Sequence, residues 1–462
     1  MVIDRIDDPE RHGARTVSKH WFHQVKINHF NINLLLPNQI PNIIEHFNCL
    51  PQLGLTVRKC DKSSEAQCLS LITNLTNLIS IELKWLYKRS STRKVDLAHN
   101  LRNLQKICLP TFKVEIHKVI PHLTYLDTVG IISNVSKTLL PKLEIFAGEM
   151  TKTAISVINP NSLTALIIKE ISSEYTREVS FDEFSNLKKL DIRAIGPSYN
   201  VDDGPFSGSE PRNPLYLNLP YLEELYAGMT FSTSSTKLTR LTAHQNVTAE
   251  LFMHTQLKSL TLVKPIGIKD YLSKFRKLQQ LEDFSLEQSK FFDEVCECLF
   301  PDTLTKLSIR ASDRTIRILP KFINLRELCL DAQSLSIEGI SGMEFLEKLT
   351  VKRATDISAT WIGELSRLTS LELNFDSQNR APMHLERLTN LKILSLPIKS
   401  NKELMGLEYL TQLERLEVPR VNDDAFQTLL KLTRLTCCQV DTCHLVSKLT
   451  QLRDLDYCFM ND

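Results

Sequence analysis

Four side chains that could bind a metal ion lie close together in the last part of the sequence: Cys437, Cys438, Cys443 and His444. Thiolate and imidazole groups are the ligands that Zn²⁺ prefers in proteins. A structural zinc site usually takes two pairs of closely spaced ligands, and this spacing does not supply them. Cys296 and Cys298 form a close pair with no second pair nearby. We therefore predict no metal site.

The sequence contains none of the common signatures of a catalytic or phosphate-binding site. The Gly-x-x-x-x-Gly-Lys loop, the His-Glu-x-x-His pair and the Gly-x-Ser-x-Gly elbow are all absent. Only 13 glycines occur in 462 residues, which leaves few positions for loops that wrap a phosphate. We therefore predict that the protein is not an enzyme, has no catalytic residues and binds no cofactor.

One basic stretch, residues 84–94, combines lysines and arginines with Trp85 and Tyr87. Such a stretch could hold an acidic partner. A solvated loop is the simpler interpretation, because charge runs are common in connections.

A leucine phrase recurs along most of the chain and indicates which elements position these side chains. Leu-x-x-Leu-x-x-Leu-x-Leu occurs at residues 365–373 and 388–396, and a copy that ends in valine occurs at residues 410–418. We take the penultimate apolar residue of each copy as its marker, and the mean marker spacing is about 22 residues. The eighteen markers are Ile81, Ile107, Leu126, Phe146, Leu166, Leu190, Leu225, Leu241, Leu260, Phe284, Leu307, Leu328, Leu349, Leu371, Leu394, Leu416, Leu435 and Leu455.

This period predicts stacked coils that share one core. In a short strand alternate side chains point to opposite faces, so the two leucines of Leu-x-Leu point inward and the residue between them faces solvent. Stacking joins the inward leucines of neighbouring coils and pairs their strands. A helical protein also brings leucines together at spacings of three and four, but that periodicity does not explain a recurrence near 22 residues.

The predicted fold is a leucine-rich-repeat solenoid of the α/β class, a curved horseshoe with a parallel inner sheet. It covers residues 27–462 with about 18–20 repeats, counting two fainter copies near residues 30–32 and 53–55. Residues 194–214 are rich in turn formers and predict an irregular loop, either a binding element or a tolerated insertion. Residues 268–281 have a helical pattern, which predicts a mixture of helices and turns outside the sheet.

Two further details concern the turns and the last coil. The asparagine that usually follows the marker by five residues occurs only at Asn246, so other groups must satisfy the backbone of most turns. Residues 455–462 end within a repeat, so we expect the last strand to pair with something, to fray or to continue in a longer chain.

The first 26 residues do not follow the repeat and predict a small α-helical segment. They contain Asp8, Pro9 and Arg11, followed by Val17, Ser18, Lys19 and Trp21. Val17 and Trp21 are four residues apart and therefore share one face of a helix, whereas Arg15 and Lys19 share the opposite face. The segment resembles the second half of an F-box, in which Asp, Pro and Arg lead into a helix ending in Val-Cys/Ser-Lys-x-Trp.

This resemblance implies a function for the whole chain. In F-box proteins the helical unit docks on a Skp-type adaptor, and a following leucine-rich-repeat array presents a substrate to a cullin ubiquitin ligase. It implies a non-catalytic substrate-recognition subunit of a Skp–cullin–F-box ubiquitin ligase, with adaptor-binding residues Pro9, Arg11, Val17, Lys19 and Trp21. Two alternatives stay open: the segment only caps the first repeat, or the chain is a free-standing scaffold or regulatory protein that binds one protein without a link to ubiquitin.

The outward residues of the later repeats predict where a partner binds. Side chains between and beyond the inward leucines form the concave face, and arginine and aromatic residues are the usual anchors of protein interfaces. The predicted partner-binding residues are Arg310, Lys352, Arg353, Glu372, Asn374, Phe375, Glu417 and Arg420.

Composition narrows the class of partner. Lys and Arg number 56 against 54 Asp and Glu, so no global field steers a nucleic acid or an anionic membrane. We predict a protein partner, no nucleic acid, no membrane, and a monomer outside its complex. Eleven cysteines without a disulfide framework and a charged N-terminal sequence predict a reducing compartment, the cytoplasm or the nucleus.

Overall fold

A computed structural model gives the fold of the residues that it describes. They are residues 30–34, 53–60, 78–85, 94–96, 103–134, 138–171, 181–192, 215–228, 231–246, 248–266, 268–287, 300–310, 315–317, 322–331, 334–336, 342–353, 359–374, 385–396, 406–421, 428–440 and 449–457. The contacts divide the chain into two compact units, Met1–Lys237 and Leu238–Asp462. The predicted N-terminal segment, residues 1–26, and the predicted loop, residues 194–214, lie outside the described residues.

Parallel strands build the first unit. The strands are β1 Phe30–Leu34, β2 Leu53–Cys60, β3 Leu78–Trp85, β4 Lys94–Asp96, β5 Lys106–Glu115, β6 Tyr125–Ile132, β7 Ile145–Met150, β8 Ala165–Ile171, β9 Lys189–Ile192, β10 Leu215–Leu217, β11 Glu224–Ala227 and β12 Phe231–Thr233. The main sheet runs in the order β1, β2, β3, β5, β6, β7, β8, β9, β11, and every pairing is parallel. β4 also pairs with β5, and β10 pairs with β12.

The second unit repeats this arrangement. Its strands are β13 Arg240–Asn246, β14 Ser259–Ile266, β15 Asp283–Glu287, β16 Lys306–Arg310, β17 Thr315–Arg317, β18 Glu327–Asp331, β19 Ser334–Ser336, β20 Lys348–Lys352, β21 Ser370–Asn374, β22 Ile393–Ser395, β23 Arg415–Val421, β24 Arg434–Val440 and β25 Asp454–Tyr457. They form one parallel sheet in chain order, apart from β17 and β19, which pair with each other.

The markers lie opposite one another in neighbouring strands. Leu328 pairs with Leu349, and Leu349 pairs with Leu371. Leu190 pairs with Leu225 although 35 residues separate them, so the long connection does not disturb the register. Seventeen of the eighteen markers are at most 2% exposed, and Leu455 on β25 is the exception at 48%. The repeated leucines therefore form the core of stacked coils, which confirms a parallel solenoid.

The leucines that precede each marker build the turn into the strand. The N–H of Leu388 donates to the carbonyl of Leu385, and that of Leu391 donates to Leu388, both at 2.9 Å. The spacing of three residues matches these bonds, because a 3-10 turn closes between residues i and i+3. All three leucines are fully buried. One apolar phrase thus defines both the turn and the strand.

Helices are short in the part of the chain that the structure describes. α1 is Lys152–Val157, and the side chain of Thr151 accepts a hydrogen bond from the N–H of Ala154 at its N-terminus. Residues 268–281, which the sequence predicts to be helical, contain a 3-10 helix, Ile268–Lys277. Its buried Phe275 is followed at intervals of three by Leu278 and Leu281, a spacing that favours 3-10 over α-helical geometry. The other 3-10 helices are Ala249–Met253, Ala359–Glu364, Leu385–Arg387 and Leu407–Tyr409.

Hydrogen bonds between consecutive coils lie at the turn before each strand. The carbonyl of Glu282 accepts the N–H groups of Thr305 and Lys306, both at 2.9 Å, and the hydroxyl of Thr305 at 3.2 Å. Asparagine side chains add bonds one coil back, as Asn324 donates to the carbonyl of Asp302 at 2.8 Å and Asn390 to that of Ser366 at 3.0 Å. These groups supply inter-coil bonds where the usual asparagine after the marker is missing from the sequence.

None of the helices in the described ranges is long and apolar enough to span a membrane.

Candidate functional site

Three neighbouring strands of the second unit, β16, β18 and β20, present aligned polar rows on their outward face. In β16 the side chains of Leu307 and Ile309 are buried, whereas Lys306 and Arg310 are exposed. The same alternation in β18 and β20, together with the strand register, aligns side chains from the three coils. The first row is Lys306, Glu327 and Lys348; the second row is Ser308, Cys329 and Thr350; the third row is Arg310, Asp331 and Lys352.

Asp331 holds two arginines at the third row. Its side chain is 12% exposed, and its Oδ2 accepts a hydrogen bond from Nε of Arg310 at 3.0 Å. Its Oδ1 accepts one from Nε of Arg353, which directly follows the row. Both arginine side chains are about half exposed, at 51% and 48%. One nearly buried carboxylate thus orients two cations that face solvent.

The backbone at Arg353 is unusual. Its φ is +61°, a left-handed conformation that non-glycine residues rarely adopt. Its N–H donates to the carbonyl of Asn374 on β21 at 2.6 Å. The ion pair with Asp331 and this hydrogen bond hold the conformation, which places the guanidinium next to the third row.

The first row has the same order of charges but is more exposed. Glu327 lies between Lys306 and Lys348, with carboxylate-to-ammonium distances of 3.5 and 2.6 Å. The hydrogen bond from Lys348 is the main reason why the pKa of Glu327 lies below its ordinary value of 4.5. The first row therefore also carries one carboxylate between two cations.

The second row is small and uncharged. Ser308, Cys329 and Thr350 are partly buried between the other two rows. Burial is the main reason why the pKa of the Cys329 thiol is raised, so the thiol is neutral at neutral pH. The second row is therefore a strip of short, neutral side chains between two rows of longer, charged side chains.

Polar contacts continue the second row on β21 to β23. Thr350 lies 3.3 Å from a carboxylate oxygen of Glu372 and donates its hydroxyl to it. Ser395 donates to Glu417 at 3.1 Å. Glu372 and Glu417 are partly buried, and acidic groups therefore follow the cation-rich coils.

Most residues predicted for partner binding lie on this outward face. Arg310, Lys352, Arg353, Glu372, Asn374 and Glu417 belong to β16, β20, the residue after β20, β21 and β23. Phe375 and the side chain of Arg420 lie outside the described residues. Asp331, the group that joins Arg310 to Arg353, was missed by the sequence analysis. Its register position, between Arg310 and Lys352 in neighbouring coils, was the signal that could have found it.

The first unit has a separate polar cluster on the outward face of β5 to β8. Sγ of Cys108 lies 3.6 Å from Oδ2 of Asp127, and Nζ of Lys169 contacts Oδ1 of the same carboxylate. Burial and then the Asp127 charge raise the pKa of Cys108 to about 12. This thiol is therefore protonated at neutral pH and is a poor nucleophile.

The sequence-predicted chemical features lie largely elsewhere. Cys443 and His444 lie outside the described residues, as do Pro9, Arg11, Val17, Lys19 and Trp21. Within the described ranges, no group of three or more His, Cys, Asp or Glu side chains is arranged to hold a metal ion. Of the basic stretch, Lys94 lies on β4 and forms a 3.4 Å ion pair with Glu115.

Register, burial and repeat together define the class of protein. The described residues form the coils of a parallel β-solenoid built on a leucine-rich repeat, and the outward faces of β16, β18 and β20 are polar.

Comparisons with solved structures give leucine-rich-repeat proteins at low identity. An internalin, InlF, from Listeria monocytogenes is 15% identical with a TM-score of 0.40, covering 67% of this chain and 92% of its own. The functional domain of InlJ from the same organism is 16% identical with a TM-score of 0.42, covering 68% and 67%. The plant peptide hormone receptor RGFR1, solved in complex with RGF2, is 14% identical with a TM-score of 0.38, covering 94% and 88%.

No protein-family model matches the chain, and no curated protein matches it. The assignment of the fold therefore rests on the strand pairing and the buried repeat of this chain.

Proposed function

We propose that the chain is a non-catalytic scaffold that holds a protein partner on the outward face of β16 to β23. The observation that carries this proposal is the alignment of half-exposed charged side chains from several coils, two of them fixed by Asp331. Groups that are already oriented lose little entropy on binding, which favours recognition of a partner. A surface that spans several coils suits a macromolecule better than a small metabolite.

Site-specific photocrosslinking of the full chain tests this surface. A photoreactive amino acid at Ser308, Thr350 or Ser395 samples the outward strand face. The same amino acid at exposed Glu344 or Thr411, in the turns before strands, is the matched control. We expect one crosslinked product of the same mass from the strand-face positions and none from the turns. Crosslinks confined to the turns, or none at all, contradict the proposal.

A second, more specific proposal is that the scaffold is the substrate-recognition subunit of a Skp–cullin–F-box ubiquitin ligase, acting in the cytoplasm or nucleus. The observation that favours it is the sequence order of an F-box-like phrase, Val17 to Trp21, followed by leucine-rich repeats. The alternative is a free-standing scaffold that binds one protein without a link to ubiquitin.

A pull-down with a purified Skp-type adaptor separates these two functions. We expect the full chain to retain the adaptor and Trp21→Ala to weaken retention by at least about tenfold, since large aromatic anchors dominate interfaces. Glu344→Ala, at an exposed turn position of the second unit, serves as the control. Absence of adaptor binding by the unmodified chain supports the free-standing scaffold.

A further inference from the structure

The three coils that carry β16, β18 and β20 hold a local excess of positive charge. Their outward residues include five cations and two carboxylates, a formal charge of +3: Lys306, Arg310, Lys348, Lys352, Arg353, Glu327 and Asp331. On the preceding strands, β13 to β15, Arg240 and Lys264 balance Asp283 and Glu287. On β21 to β23 the described outward side chains carry Glu372, Arg415 and Glu417. Among the described outward side chains of β13 to β23, the excess therefore lies on these three coils, in a chain whose total charge is only +2.

The cations lie on both sides of the second row, whose side chains are short and neutral. The first and third rows are four residues apart on each strand, or about 13 Å at 3.3 Å per residue. Ser308, Cys329 and Thr350 lie between them and carry no charge at neutral pH. We call this surface, the three rows together with Arg353, the basic trough. Its width is suited to one extended polypeptide whose alternate side chains reach the two rows.

Resting on the proposed function, we propose that the basic trough binds an extended acidic segment of the partner protein, with carboxylates directed at both rows. Each carboxylate of the trough already lies between two cations, so the +3 excess is the charge that a partner can neutralise. Asp331 fixes the arginines at Nε while their side chains stay half exposed, which prepares them for charge-assisted hydrogen bonds.

The size of the trough favours a peptide over a nucleic acid. Three strands at about 4.8 Å spacing extend the cations over roughly 10 Å. A nucleic-acid strand carries one phosphate per about 3.4 Å, and its binding proteins need basic surface along the whole backbone path. The described outward side chains of the neighbouring coils are balanced or acidic, so they offer no continuation of this basic surface for a phosphate backbone.

Fluorescence anisotropy with defined probes tests the inference. The probe is a labelled peptide of about ten residues that carries about four consecutive Glu residues flanked by Ser, because successive side chains of an extended chain point to opposite sides. The controls are the same peptide with Gln in place of Glu and a thymidine oligonucleotide of equal charge. We expect the full chain to bind the Glu peptide, with affinity that falls steeply between low and physiological salt. We expect no measurable binding of the Gln peptide and weaker binding of the oligonucleotide.

Variants with matched charge locate the binding. Lys306→Gln/Lys348→Gln removes two half-exposed cations of the trough and should weaken binding of the Glu peptide by at least about tenfold. Lys258→Gln/Lys392→Gln removes two equally exposed, ion-paired cations elsewhere in the same unit and should leave it within about twofold. Glu327→Gln raises the charge of the trough and leaves in place the two arginines that Asp331 holds, so this variant should bind the Glu peptide several-fold more tightly.

The outcomes separate this inference from the proposed function. One outcome is that strand-face positions crosslink to a partner, but the affinity for that partner changes neither with salt nor in the lysine variants. This result is consistent with the scaffold function and overturns the proposal of an acidic segment. Tighter binding of the oligonucleotide than of the Glu peptide, abolished by the same variants, also overturns it. Equal loss of Glu-peptide binding in the trough and control variants shows non-specific attraction and overturns it as well.

Discussion

Individual residues on the strand face differ mainly in how deeply their charges are buried. Asp331 and Glu327 each lie between two cations on the same strand, β18, but the side chain of Asp331 is 12% exposed and that of Glu327 is 36% exposed. Burial removes the water that would otherwise solvate an unpaired charge. Loss of the Asp331 carboxylate should therefore lower the free energy of unfolding more than loss of the Glu327 carboxylate. Arginine is a common anchor residue, so residue type alone predicts Arg310 and Arg353 as binding residues. The carboxylate of Asp331 that orients them has no comparable signal within one coil.

Asp331→Asn is expected to destabilise the second unit by about 1–3 kcal/mol. It leaves two neighbouring guanidinium groups without the charge that holds them, next to a nearly buried amide. Glu327→Gln, on the same strand and with the same order of neighbours, should cost less than about 1 kcal/mol because solvent screens the exposed lysines. Urea denaturation of both variants measures the difference. Equal losses would show that burial does not govern these contacts.

The lowered pKa of Glu327 predicts how its contribution depends on pH. A carboxylate whose pKa is lower in the folded state stabilises the fold above its unfolded pKa and loses this contribution as pH falls through the folded value. The difference in unfolding free energy between the protein and Glu327→Gln should therefore be largest near pH 7 and shrink below about pH 4. Repeating the comparison in a Lys348→Gln background should reduce the pH dependence, because Lys348 is the main cause of the shift. A difference that is constant from pH 7 to pH 3 would contradict this assignment.

At the scale of elements, the residue types in the turn before each strand follow a period of three coils. From Thr164 onward the residue two places before the marker cycles through Thr, then Lys or Arg, then Glu: Thr164, Lys188, Glu223, Thr239, Lys258, Glu282, Thr305, Arg326, Glu347, Thr369, Lys392, Glu414, Thr433, Arg453. The cation pairs with the glutamate of the next coil, as in Arg326 and Glu347 at 3.2 Å. The carbonyl of that glutamate then accepts the hydroxyl of the next threonine, as Glu347 accepts Thr369 at 3.1 Å. A repeat of three coils thus overlies the repeat of one.

Close approach of strands in the first unit depends on one glycine. A Cβ added at Gly148 on β7 would lie 2.9 Å from Cζ of Phe146 and 3.0 Å from the carbonyl oxygen of Thr128, both in buried residues. Gly148→Ala should therefore destabilise the protein by about 1–3 kcal/mol, since neither neighbour can move freely.

Gly130→Ala on β6 is the matched control for this substitution. Its Cβ would meet Oε2 of Glu149 at 3.2 Å, the end of a flexible side chain that can shift. The free energy of unfolding should change by less than about 1 kcal/mol, with a small gain from the less flexible unfolded chain. Thermal denaturation of Gly148→Ala and Gly130→Ala measures the stability of each variant. A similar loss of stability in both variants would contradict the steric explanation.

At the scale of the whole molecule, the repeat carries most of the information that the sequence gives about the fold. Marker spacing predicted which residues face the core and which residues of consecutive strands lie opposite each other, because stacked coils repeat their geometry. The division after Lys237 and the 3-10 form of Ile268–Lys277 were not predicted. The division depends on contacts between coils, whereas the 3-10 form follows the spacing of three between buried Phe275, Leu278 and Leu281, which the helical interpretation overlooked. For the candidate site, the arginines follow from residue type, whereas Asp331 becomes visible only when coils are aligned.

The stacking of coils also predicts how far the destabilising effect of a core substitution extends along the solenoid. Leu371 is fully buried and lies between Leu349 and Leu394 in the register, so Leu371→Ala should cost about 2–5 kcal/mol. Because each coil contacts mainly its neighbours, the loss should fall on nearby coils and fade with distance along the stack. Hydrogen–deuterium exchange should show faster exchange in β20, β21 and β22 and unchanged exchange in β6, β7 and β8 of the first unit.

Leu430→Ala, at a 54% exposed leucine in the second unit, is the control and should leave exchange in all six strands unchanged. If Leu371→Ala instead accelerates exchange equally in both units, the chain unfolds as a single cooperative body and nearest-neighbour stacking does not describe its energetics.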